Sequence, residues 1–140
     1  MTRLSRLDLD WRTRPPARGQ AAREFLDFVV DGRSLQDTLD LGAWIGCFGW
    51  RGPKDDRRCA RELLLRQASE WSSGRSALYI CAECGDLGCG AVTVHVEKAD
   101  GGFMWTAFRL ESTATRDVKD IEGGPFHFYR VDYVNALARF

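Results

Sequence analysis

Apolar and polar residues alternate along several short stretches of this chain, and the alternation predicts strands. Leu26, Phe28 and Val30 alternate with Asp27 and Val29, the period-two mark of a half-buried strand over residues 24–30. Asp31-Gly32 reads as a turn, after which Ser34 is placed to cap a short helix through Leu41, with Leu35 and Leu39 on one face. Further strands are expected over residues 77–81, 90–97 and 103–110. In the second of these, Val92, Val94 and Val96 point inward and Thr93, His95 and Glu97 outward. Asp100-Gly101-Gly102 joins the last two as a hairpin turn. Residues 111–124 are polar and read as a loop. Phe126 and Phe128 then alternate with His127 and Tyr129 in a final strand.

Two stretches carry helical spacing instead. Cys59 with Leu63, and Ala60 with Leu64, recur four residues apart, so a main helix is expected from Asp55 or Asp56 to about residue 69. Arg57, Arg58, Arg61 and Arg66 face water on it, and Cys59 serves as a small core residue. Residues 131–140 close as a short helix with Tyr133, Val134 and Leu137 as its apolar face. Between these regions, the apolar and glycine-rich segment 41–53 suits an edge strand near Ile45, with Phe48 and Trp50 packing down. It lacks the Gly-Lys-Ser/Thr ending of a phosphate loop. The elements add up to an α+β fold: a single domain, mainly antiparallel sheet, with two or three helices.

Length and charge refine this picture. The 140 residues fit one domain of the usual ~100–150. Eight Phe and five Trp allow a sizeable core. The 20 basic and 20 acidic residues cancel. Residues 1–23, however, hold six Arg against Asp8 and Asp10, and Pro15-Pro16 and Gly19 oppose regular structure there. The chain therefore divides into a basic N-terminal extension, residues 1–23, and a domain over residues 24–140. Contact of such an arm with nucleic acid is disfavoured against simple solvation. No apolar run has the length of a membrane span or a signal peptide, and five cysteines do not pair evenly. A cytoplasmic location with no membrane partner is the expectation.

The segment with unusual chemistry is Cys81-Ala-Glu-Cys84-Gly-Asp-Leu-Gly-Cys89-Gly90. A Cys-x-x-Cys pair followed by glycine is how zinc knuckles bring two thiolates to one metal, the glycine letting the backbone turn beneath it. Cys89 begins the returning strand, so three sulfurs gather at one end of a hairpin. A structural zinc wants four ligands, and Cys47 is the remaining thiol best able to complete Cys81, Cys84 and Cys89. The same residues, left reduced, make a long glycine-shaped turn, and a disulfide or redox role is a third alternative. A thioredoxin-like site does not fit, because that motif opens a helix within a βαβ unit.

Three marks resemble a family of small uncharacterised bacterial proteins: Phe-Val-Val-Asp-Gly-Arg-Ser-Leu at residues 28–35, Leu-Tyr-x-Cys-x-Glu-Cys-Gly-Asp-Leu-Gly-Cys-Gly-Ala at residues 78–91, and Gly-Pro-Phe-x-Phe at residues 124–128. The resemblance spans roughly residues 24–137 and its middle motif is specific. Members are sometimes labelled oxidoreductase, with no mechanism attached to the label. The resemblance implies the domain limits and the importance of the cysteine turn.

The sequence shows no Ser-His-Asp set and no metal-hydrolase motif, and His95 and His127 fall on outward strand positions. Catalysis is therefore the less expected reading. The preferred one is a non-catalytic protein-binding module. Its anchors are the loop tryptophans Trp50 and Trp44, and its acidic rim is Glu111, Asp117, Asp120 and Glu122. By analogy of size and class, an immunity protein that neutralises a basic bacterial toxin is the example of such a module. The alternative is a zinc-binding or thiol-dependent protein using Cys81, Cys84 and Cys89.

Overall fold

The computed structural model describes residues 3–16, 21–42, 44–71, 73–81, 90–112 and 117–140. The described residues form ten strands and three helices. These are β1 (Leu4–Ser5), β2 (Leu7–Arg14), β3 (Arg23–Val30), β4 (Arg33–Ser34), α1 (Leu35–Thr38), β5 (Ile45–Gly46), α2 (Pro53–Leu63), β6 (Ser76–Ile80), β7 (Ala91–Ala99), β8 (Gly102–Glu111), β9 (Val118–Asp120), β10 (Phe126–Tyr129) and α3 (Arg130–Leu137). The fold is a single α+β domain with a mostly antiparallel sheet, as expected. Among the described residues, no helix is long and apolar enough to cross a membrane.

The larger sheet runs β1-β10-β8-β7-β6-β5, with β9 paired to β8. The smaller sheet runs β2-β3-β4. The two sheets are joined at both edges. On one side only Arg6 separates β1, in the larger sheet, from β2, in the smaller. On the other, Phe48 follows β5 and bridges Leu26 of β3, whose amide donates to the Phe48 carbonyl at 3.0 Å. Gly46 is required at this joint, because a Cβ there would stand 2.6 Å from the Leu26 carbonyl oxygen. Phe28, Phe48, Tyr79, Trp105, Phe128 and Tyr133 fill the space between the sheets. Trp105 Nε1 donates to the Tyr133 hydroxyl at 3.0 Å, and that hydroxyl donates to the Leu63 carbonyl at 2.5 Å, tying α3 to the end of α2.

The N-terminal residues correct the expectation of a loose extension. β2 pairs with β3 over its whole length, Leu7 against Val30 through Arg14 against Arg23, and Leu7 is buried. Leu7, Leu9 and Trp11 alternate with Asp8, Asp10 and Arg12, so this arginine-rich stretch carries its own strand pattern. Pro15 stands directly after its last residue. The domain boundary expected at residues 23/24 therefore falls inside a hairpin.

Several polar residues expected to face water are buried, because both faces of the sheets are covered. Asp27 on β3 is 2% exposed. It accepts from the Tyr79 hydroxyl at 2.5 Å, from Ser34 Oγ at 2.5 Å and from Arg12 Nη1 at 3.4 Å. This cluster spans the interior from the smaller sheet to β6 of the larger one. Thr93 is likewise buried on the outer face of the larger sheet, where Arg75 Nε donates to it at 3.0 Å and it donates to Glu111 at 2.7 Å. His127 is buried with Nε2 2.9 Å from the Ala99 carbonyl oxygen, whereas His95 is exposed beside Glu97 as expected.

The main helix also ends earlier than expected. Leu65 adopts a left-handed φ of 58° two residues after α2 stops at Leu63, and helical hydrogen bonding does not continue through it. In β8, Ala107 takes a left-handed φ of 55° where the register with β7 shifts by one residue. This bulge divides β8 into a half that pairs with β10 and a half that pairs with β9.

Candidate functional site

The outer half of β8 and the short strand β9 shape a cleft of about 280 Å³ against the loop that follows α1. Leu39, Leu41 and Trp44 form one side, and Lys119, Asp120 and Ile121 the other. Val92 and Leu110, a cross-strand pair of β7 and β8, lie between them. The floor is apolar because these strand positions face the core. The rim is polar because β9 lies at the margin, with its three residues exposed.

The Trp44 side of the cleft is built by Gln36. This buried side chain donates to the Gly42 carbonyl at 3.1 Å and also to the Trp44 carbonyl, while the Trp44 amide donates to the Leu41 carbonyl at 3.3 Å. The loop is thus held from beneath. Trp44 then lies over Gly90, the residue that follows Cys89 in the chain. Gly90 has a φ of 129°, and a Cβ on it would meet the indole at 3.3 Å. Glycine is needed there for both reasons.

On the opposite side, Asp120 is 84% exposed and paired with Arg109 at 2.9 Å. Asp40 also lines the cleft and is exposed, so two carboxylates line it against Lys119; Asp117 and Glu122, exposed as well, flank β9 in the chain. The Asp117 carbonyl accepts from the Ser112 amide at 3.1 Å, which fixes the start of the β9 segment.

Of the residues expected to bind a partner, Trp44 and Asp120 therefore meet in one cleft, with Asp117 and Glu122 flanking it in the chain. Glu111 does not join them. It ends β8, buried, where it accepts from Thr93 and from Ser73 at 3.3 Å and lies 3.8 Å from Arg75. Trp50 is also committed elsewhere. Its indole nitrogen donates to the Gly46 carbonyl at 2.7 Å, Arg23 stacks 4.5 Å above its ring, and it packs against both the main core and the Trp71–Ile80–Ala91 cluster. Leu39, Leu41, Ile121 and the supporting Gln36 were not predicted. The signal available was the apolar pair Leu39 and Leu41 straddling Asp40 at the end of a short helix. A larger depression of about 480 Å³ lies beside Glu62, Leu65 and Arg66 and gathers none of the predicted residues.

The expected metal ligands are placed only in part. Cys81 is half-buried directly after β6 with a free thiol, and Cys84 and Cys89 lie outside the described residues. Cys47 does not stand beside Cys81. Its amide donates to the Leu78 carbonyl at 3.0 Å, so it sits opposite a residue three positions down the strand from Cys81. That offset is roughly 10 Å along a strand, against about 4 Å between two sulfurs on one zinc. Cys47 is instead fully buried, and its thiol donates to the Ala77 carbonyl at 3.8 Å. Among the described residues, no group of three or more His, Cys, Asp or Glu side chains is arranged to hold a metal ion. Compared with known proteins, the chain matches no family model, no curated protein sequence and no solved structure.

Proposed function

We propose that this protein is a non-catalytic binding module that receives a basic, partly apolar segment of another protein in the cleft between Trp44 and β9. One observation carries the reading: an apolar floor of Leu41, Val92, Leu110 and Ile121 rimmed by Asp40 and Asp120. Apolar contact with the floor supplies affinity, and the excess of carboxylates steers a cationic partner and selects its charge. Within this reading the partner is a basic bacterial toxin and the protein its cytoplasmic immunity factor, a step that rests on class analogy and on the acidic rim.

The test is capture of partners from the native host followed by binding measurements on variants. Trp44→Ala is expected to weaken the complex by ~2 kcal/mol or more, about 30-fold. Asp120→Lys is expected to slow association and to flatten its dependence on salt. A complex indifferent to both substitutions, or purified protein that turns over a small molecule in a Cys89-dependent way, overturns the reading.

A second reading is a zinc-binding protein, supported by the free Cys81 thiol at the entrance to the Cys-x-x-Cys turn. Its ligands would be Cys81, Cys84 and Cys89, without Cys47. Native mass exceeding denatured mass by one zinc, with a lower melting temperature in Cys84→Ser, is its expected signature. Equal masses remove it.

A further inference from the structure

The hollow of about 480 Å³ at the end of α2 shares no lining residue with the Trp44 cleft. Glu62 lines it from the last turn of α2 and is only 8% exposed. Its Oε1 accepts from the Glu70 amide at 2.9 Å. Ser69, on the same wall, gives its one hydroxyl hydrogen to the Arg75 carbonyl. Among the described residues, no arginine, lysine or histidine forms an ion pair with Glu62. Arg58, one turn earlier, directs its guanidinium to Asp55 at 3.1 Å and to Glu70 at 2.8 Å. A glutamate buried this deeply is ordinarily ion-paired, because an ionised carboxylate short of donors is costly to bury. Its place at the negative end of the α2 dipole adds to the local excess of negative charge.

The remaining walls supply the complement. Leu65, with its left-handed φ of 58°, is 41% exposed, and with Ala68 it gives the hollow an apolar side. Arg66 lines the same hollow from an exposed position and pairs with no carboxylate among the described residues. One deep anion, one outer cation and an apolar wall therefore face a single space.

We propose that this hollow binds a free aliphatic α-amino acid, with its ammonium on the Glu62 carboxylate, its carboxylate on the Arg66 guanidinium and its side chain against Leu65 and Ala68. Only a zwitterion answers both charges. A simple amine would bring a second cation up to Arg66, and a simple carboxylate would bring a second anion up to Glu62. The volume lies within the ~300–1,000 Å³ usual for small-molecule sites. Ammonium bound to Glu62 would supply the charge-assisted hydrogen bonds that the protein leaves unmade.

Calorimetric titration of the full-length protein with L-leucine, isopentylamine and 4-methylpentanoate tests the proposal. The second and third compounds are leucine without its carboxylate and leucine without its ammonium. Leucine is expected to bind, isopentylamine to bind more weakly and 4-methylpentanoate not to bind. Glu62→Gln keeps an acceptor for the Glu70 amide and should weaken leucine about ten-fold or more. Arg66→Gln, at an exposed residue, should weaken leucine roughly two- to five-fold and leave isopentylamine no weaker. Titrations of the parent protein at several pH values read the Glu62 contact even if Glu62→Gln does not fold. Burial foremost raises the Glu62 carboxyl above its ordinary range, and the charged groups acting on it, Glu70 and Arg58, are paired with each other. Leucine affinity should therefore fall as pH drops from about 7 to about 5, where neither charge of leucine changes. No binding of leucine, binding of 4-methylpentanoate as tight as that of leucine, or leucine affinity indifferent to both pH and Glu62→Gln overturns the proposal. Isopentylamine bound as tightly as leucine, with Arg66→Gln without effect, overturns the zwitterion.

Discussion

Asp27 and Asp120 are both strand aspartates beside an arginine, and the structure puts them to opposite uses. Asp27 lies inside, its carboxylate taken up by Tyr79, Ser34 and Arg12 and its position fixed between the two sheets. Asp120 lies on β9 with 84% of its side chain in water and a single arginine contact. A buried carboxylate is tolerated only with its acceptor sites filled, and once filled it holds its donors in one arrangement. An exposed pair contributes little to stability and leaves its charge available to a partner. The chemistry is the same in both places; the covering of the strand decides whether it serves the fold or the surface.

The strongest way to break this contrast is Asp27→Ala. It leaves the Tyr79 hydroxyl buried without an acceptor and frees Ser34, with an expected loss of about 3 kcal/mol. Chemical denaturation would measure it, and a loss below ~0.5 kcal/mol would place Asp27 among the surface carboxylates.

Tyr79→Phe sharpens the contrast with a smaller effect, roughly 1–2 kcal/mol at neutral pH, and adds a signature in alkali. Burial foremost, followed by the Asp27 charge, raises the Tyr79 hydroxyl well above its ordinary value of 10.0, and burial raises Tyr133 as well. Above pH 10 the unfolded chain loses these protons while the folded one keeps them, so stability falls as pH rises. Each such tyrosine contributes a slope of about 1.4 kcal/mol per pH unit. Urea midpoints between roughly pH 9.5 and 11.5 should fall more gently in Tyr79→Phe than in the parent. Equal slopes would mean that the Tyr79 hydroxyl ionises in the fold.

The smallest effect on stability is expected at Asp120→Lys, within ~0.5 kcal/mol. A larger loss would mean that the Arg109 pair supports β9, and the comparison between the two aspartates would fail from the other side.

The sequence made the elements legible where one face of each is apolar. Residues 24–30, the Asp31-Gly32 and Asp100-Gly101 turns and the Ser34 cap are where the alternation and turn chemistry put them. What alternation does not tell is whether the polar face is also covered. Asp27, Thr93 and His127 were assigned to water for that reason, and Glu111 as the start of a polar loop; each is buried. β2 was hidden by composition, since Arg12, Arg14 and the prolines after it outweighed the Leu7–Leu9–Trp11 alternation. The cleft was half legible. Trp44 and Asp120 stand out by residue type, but only the pairing of β8 with β9 and the Gln36 hydrogen bonds bring them together.

β1 has a further consequence for the time course of folding. It pairs in parallel with β10, Leu4 against His127, so 123 positions of chain separate the partners. Contacts of that sequence separation carry a large loop-closure entropy and slow the search for the native state. A nascent polypeptide that has emerged from the ribosome through β9 holds Leu4 with no strand beside it and leaves an edge of β8 open. Until β10 is synthesised and inserted, that edge offers itself to other chains. The last strand made is the one that closes the first.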